Sequence, residues 1–241
     1  IFDKECENLN YLREKSVDSI PEVLFRCDLD DLKLFCQSSV KDKSGQTIDR
    51  MTEKHWLFLA NLYNKTRTVI KFEETDYYAL LKQVKKNAVV LKETDLEIVQ
   101  RACELISKKY NNSTVEFGFY HGDFTPWNTV IENGKIKVFD FEYAKRTYPP
   151  YLDAVHYLLQ KNFFVDGLND ANQIYSSLKE SSIWKKFDDR RSLEMVIMYL
   201  LEIINLYLSR TSEESLDEKS RQKIRIEILE KAVTEYANLS R

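Results

Sequence analysis

Asp123, Asn128 and Asp140 are the residues of this chain whose types and spacing suit chemistry. They fall in the stretch 117–144, which reads F-G-F-Y-H-G-D-F-T-P-W-N-T-V-I-E-N-G-K-I-K-V-F-D-F-E-Y-A. Asn128 stands five residues after Asp123, and Asp140 twelve after that. Three of the chain's five glycines (Gly118, Gly122, Gly134) also lie here, so the backbone is equipped for turns that other residues make only at a cost. Two carboxylates and an amide oxygen drawn to one point would form a hard-oxygen set. Such a set suits Mg²⁺, which is usually held by one or two carboxylates together with substrate phosphates.

The elements around these residues supply the convergence. The segment 116–120 is rich in aromatic and β-prone residues and predicts a short strand. His121-Gly122-Asp123 breaks it, and Pro126 fixes φ in the loop that follows, so the loop is held. Thr129–Glu132 and 135–139 are β-prone runs joined by Asn133-Gly134, the strongest short hairpin signal. A hairpin returns the chain, which brings Asn128, before its first strand, close to Asp140, after its second.

The pattern H-G-D-x-x-x-x-N, followed after a hairpin by Asp-x-Glu, resembles the catalytic segment of the aminoglycoside phosphotransferase and choline kinase family. These are small-molecule kinases related in fold to protein kinases, whose H-R-D-x-x-x-x-N and Asp-Phe-Gly motifs have similar spacing. The resemblance implies an α+β, protein-kinase-like fold, with an incomplete small lobe in residues 1–40 and a mostly helical large lobe in 41–241. It implies that Asp123 is the catalytic base for a substrate hydroxyl, and that Asn128 and Asp140 hold the Mg²⁺ ions on ATP. His121 would lock the loop, Glu142 would support the metal site, and Asp153 would brace the catalytic loop through backbone hydrogen bonds. Placing Tyr11-Leu12 on the family's aromatic-Leu pair puts Glu5 at the helix glutamate that pairs with the phosphate-binding Lys. The alternative is a solvent-facing glutamate, with Glu7 two residues on. Phe35, Cys36 and Gln37 would then lie in the hinge whose backbone meets adenine.

The departures from the protein-kinase pattern point to the small-molecule branch. Gly122 replaces an Arg, Thr125 replaces a frequent Lys, and Phe141-Glu142 replaces Phe-Gly. The family's Gly-rich loop and ATP-binding Lys precede the first helix, whereas only four residues precede Glu5 here. The expectation is that this segment lies upstream of residue 1, and the alternative is a pseudokinase scaffold that binds without turnover. A protein kinase is the weaker rival, since no Ala-Pro-Glu-like segment follows Asp140. The expected activity is transfer of the ATP γ-phosphate to a hydroxyl of an amino sugar, choline, ethanolamine or a similar alcohol.

Composition sets the frame. The 241 residues suffice for one large domain or two small ones, and a net charge of −3 gives no field to recruit nucleic acid or an anionic membrane. The four cysteines lack paired short spacing, so a zinc site or disulfide framework is not indicated and reduced cytoplasmic thiols are expected. No apolar run is long enough for a membrane helix.

Helices are expected over 3–15, 49–66, 76–85, 94–110, 154–160, 193–208 and 213–239. A hairpin is expected from 22–27 and 32–36 around the acidic turn 28–31, and a polar linker over 41–46. Thr94 and Glu97 match a capping box, and 145–150 reads as a basic loop in which Lys145 and Arg146 meet an anion or solvent. Among the histidines, His55 is expected to cap or pack and His156 to be a packed core residue.

Overall fold

The computed structural model describes residues 2–29, 32–39, 45–210 and 216–239. The chain is α+β and mostly helical, with small antiparallel sheets, and falls into two compact units. The first unit comprises residues 1–68 and 117–161; the second comprises 69–116 and 162–241. All the candidate residues therefore lie in one unit. Among the described residues no helix is long and apolar enough to cross a membrane.

In the first unit α1 (Phe2–Glu14) buries Leu9 and Leu12 and packs against the hairpin of β1 (Val23–Leu29) and β2 (Leu32–Gln37). The tip of the expected turn, 30–31, and most of the expected linker, 40–44, lie outside the described residues. Gln46 is tied into an isolated bridge with Ile131. The helix expected from residue 49 begins later, as α2 (Glu53–Thr66). Thr52 is its N-cap, and its backbone N–H donates to His55 Nδ1 at 3.1 Å. Thr52 and His55 thus form a capping box at the start of α2. The helix α4 (Glu93–Tyr110) starts one residue ahead of Thr94, with Lys92 as its N-cap, so Thr94 already sits in the first turn.

The strand β4 (Thr114–Tyr120) starts in the second unit and ends in the first. Its second half pairs antiparallel with β7 (Lys145–Tyr148), with Gly118 opposite Tyr148 and Tyr120 opposite Lys145. The expected basic loop at 145–150 therefore begins as a strand, and the reason is a partner about thirty residues back rather than its own weak β pattern. Arg146 lies with its guanidinium 4.1 Å from the Tyr11 ring centre, stacked on α1. Gly118 lets β4 approach α2: a Cβ there would stand 3.0 Å from the Tyr63 ring and 3.2 Å from Thr66 Oγ1. The Asn133-Gly134 hairpin forms between β5 (Thr129–Glu132) and β6 (Lys135–Val138), both turn residues having positive φ. The helix α5 (Leu152–Phe164) opens one residue before Asp153, which leaves that carboxylate inside the first turn.

In the second unit β3 (Thr68–Lys71, entered from the last residue of the first unit's opening segment), α3 (Asp76–Asn87) and α4 precede α6 (Ala171–Glu180), the short α7 (Ser182–Lys186), α8 (Asp189–Leu208) and α9 (Leu216–Asn238). The helix α8 packs on α3 and α9 and is buried almost throughout. Two of its polar members are buried with partners: Glu194 meets Lys109 at 2.6 Å, and Asn205 accepts from Asn87 at 3.0 Å. The start of the helix expected at residue 213 lies outside the described residues.

Candidate functional site

The loop after β4 is fixed before any side chain does chemistry. His121 is fully buried; its Nδ1 accepts the Asp123 backbone N–H at 3.1 Å, so its Nε2 carries the proton and donates to the Phe139 carbonyl at 3.0 Å. Burial holds this imidazole down to about 4, which keeps it neutral, although the nearby Asp123 charge pulls the other way. One ring thus joins the turn to the far end of the hairpin. Gly122 has φ +86°, and a Cβ there would lie 2.7 Å from the Tyr143 carbonyl. No side chain fits there, which is a physical reason for glycine at this position.

Asp153 supports the same turn from below. Its two oxygens accept the backbone N–H groups of His121, at 3.0 Å, and Gly122, at 3.1 Å. Burial raises its carboxyl to about 7, against the opposing effect of those two donors.

Asp123 and Asn128 meet directly. The Asn128 amide donates to Asp123 Oδ2 at 2.7 Å and to its backbone carbonyl at 3.0 Å, so the amide oxygen of Asn128 is the atom left to face a cation. The other carboxylate oxygen, Oδ1, lies 3.1 Å from His156 Nε2. Burial pushes the Asp123 carboxyl up, but the hydrogen bond and charge of His156, helped by His121 and Asn128, outweigh it and hold the group below its ordinary value. Asp123 is therefore ionised at neutral pH.

Asp140 stands beyond the hairpin with φ +71°, a left-handed conformation that costs of order 1 kcal/mol and tends to occur at functional sites. What holds it there is the next peptide. Glu5 accepts the Phe141 N–H, and the Asn8 amide donates to the Phe141 carbonyl at 2.9 Å, so two residues from one turn of α1 grip both ends of Phe141. The Phe141 ring is fully buried, 4.4 Å from the His121 ring centre. Burial raises the Asp140 carboxyl, with the charges of Glu142 and Asp123 adding to it. Burial also raises Glu5, followed by the charges of Asp140 and Glu142. The acidic neighbours of Glu5 and Asp140 thus add to burial in disfavouring the charged form of those two carboxyls.

Glu5 is only 8% exposed, so the solvent-facing alternative is set aside. It makes no ion pair among the described residues and faces the Asp140 turn. Phe35, Cys36 and Gln37 lie on β2, opposite Arg26, Phe25 and Val23, so the expected hinge segment is still strand. Among the described residues no three His, Cys, Asp or Glu side chains form a metal cluster by themselves. An Mg²⁺ here would rest on Asn128 and Asp140 and complete its shell from phosphate and water, which is the usual manner of magnesium.

Sequence reasoning missed two members. His156 is packed as expected, yet its ring ends on Asp123; Asn8 was not singled out at all. Both stand three residues after an acid that was (Asp153 and Glu5), on the same helix face, and that spacing is the signal that would have found them. A scan against protein-family models, a search of curated proteins and a search of solved structures found no match to this chain.

Proposed function

We propose that this chain has a protein-kinase-like fold and is an ATP- and Mg²⁺-dependent phosphotransferase that phosphorylates a hydroxyl of a small molecule. The observation that carries the reading is the fixed Asp123–Asn128 pair, with the Asn128 carbonyl accepting the Phe139 N–H at 3.2 Å so that the hairpin returns Asp140 next to it, as the aminoglycoside phosphotransferase and choline kinase resemblance would have it. Phosphoryl transfer asks a protein chiefly for positioning and charge stabilisation. Asp123 is ionised, and its side chain is 26% exposed, so an acceptor can reach it. It would orient the acceptor hydroxyl and take its proton as the oxygen bonds to the γ-phosphorus and ADP leaves. Asn128 and Asp140 would hold the magnesium, which when bound neutralises charge on the nucleotide phosphates. The raised carboxyls of Glu5 and Asp140, each with acidic neighbours among the causes, support a cation at this place. Phe35, Cys36 and Gln37 on β2 would be the segment that meets adenine.

Thermal denaturation with ATP, with and without Mg²⁺, tests the binding step, because a ligand bound to the native state raises stability. A metal-dependent rise in melting temperature is expected. Asp123→Asn should keep that rise while lowering turnover about 100-fold or more, the usual share of a positioned base. No rise with Mg²⁺ and ATP would leave a non-catalytic scaffold as the better reading, and full turnover by Asp123→Asn would remove the base assignment.

A further inference from the structure

His156 occupies a place that the reading above does not use. It sits three residues after Asp153 on α5, so both side chains leave the same face of one helical turn. Asp153 fixes the backbone at His121 and Gly122, and His156 reaches the side chain of the next residue. One turn of helix therefore presets three consecutive residues of the loop.

We propose that His156 is a positioning residue for Asp123, holding Oδ1 through Nε2–H so that the carboxylate presents a single orientation to the acceptor hydroxyl. The proposal rests on the phosphotransferase reading. A carboxylate can accept at about four lone-pair sites. Here Asn128 occupies one on Oδ2 at 2.7 Å and His156 one on Oδ1 at 3.1 Å, from a different element. With both oxygens engaged, rotation about the Cβ–Cγ bond breaks two hydrogen bonds together. The His156 side chain is 4% exposed against 26% for Asp123, so the imidazole stands behind the carboxylate and does not touch an acceptor. A buried histidine that merely satisfies its N–H would serve as well on any backbone carbonyl; this one ends on the group assigned to the chemistry.

The test uses the whole chain with His156→Leu and His156→Gln, the second of which keeps an N–H at similar reach. Mg²⁺-dependent stabilisation by ATP is measured first, then steady-state turnover of ATP with water or an active alcohol as acceptor. Misplacing a catalytic group by about 1 Å costs on the order of 100-fold. His156→Leu is therefore expected to lower kcat by about 10- to 100-fold with KM for ATP within about twofold of wild type, and His156→Gln to recover most of the loss. Equal losses in both variants would mark a purely structural role, and an unchanged kcat in His156→Leu would end the proposal. Long-range ¹H–¹⁵N spectra give a second readout: the His156 Nε2–H signal should shift in Asp123→Asn, and an unmoved signal denies the contact. If wild type neither turns over nor is stabilised by Mg²⁺ and ATP, the phosphotransferase reading falls, and the positioning role with it. Loss of the role alone would instead appear as an active wild type with an indifferent His156→Leu.

Discussion

Replacing His55 by Gln should flatten the acid side of the stability curve, and the size follows from where the ring sits. His55 is 1% exposed; its Nδ1 accepts the Thr52 N–H at 3.1 Å, and its ring lies 5.1 Å from that of Tyr157. Burial lowers its value from 6.5 to about 4. Between those limits the unfolded chain binds a proton that the folded chain refuses, so stability present above pH 6.5 is lost as pH falls towards 4. At about 1.4 kcal/mol per pH unit, the gap is worth at most about 3.5 kcal/mol. Gln at this position completes a Thr-x-x-Gln capping box, so the helix start is retained while the titration is removed. The lost ring contacts should cost about 1 kcal/mol at pH 7.5. Urea unfolding of wild type and His55→Gln at pH 7.5, 6, 5 and 4.5 reads the difference directly. The gap between the two proteins should close and then reverse as pH falls. Parallel stability curves across that range would refute the reasoning, because they would mean that His55 is not buried neutral in the folded state.

Three further outcomes follow from the site. Gly122→Ala must place a Cβ 2.7 Å from the Tyr143 carbonyl at φ +86°, so a loss of more than about 2 kcal/mol is expected in chemical denaturation, and wild-type stability would disprove the close approach. Asp140→Asn should leave folding intact, since the carboxyl is already disfavoured by burial and by its acidic neighbours; isothermal calorimetry should show the Mg²⁺-dependent part of ATP affinity lost. Asn8→Leu leaves the buried Phe141 carbonyl without its donor, and about 1–3 kcal/mol of stability should go with it, which thermal unfolding will report.

Asn133-Gly134 determined its hairpin locally, because this pair readily takes positive φ at both residues, the turn whose twist matches two antiparallel strands. Gly122 and Pro126 likewise announced a held loop, and the apolar faces of α2, α4, α8 and α9 were legible from their period. The spacing of Asp123, Asn128 and Asp140 was legible for the same reason: a hairpin is a local object that folds a linear interval into a distance. Tertiary structure decided the rest. Lys145–Tyr148 is a strand because β4 lies beside it, and nothing in K-R-T-Y says so. Thr94-x-x-Glu97 fits a capping pattern, yet the helix enters one residue earlier and the pattern is spent inside it. The contacts of His156 with Asp123 and of Asn8 with Phe141 span 33 and 133 residues, so the chain between them carries no record of the meeting. Residue types and short spacings set which groups are available for chemistry; the packing of distant helices onto one loop sets which oxygen and which lone pair each of them holds.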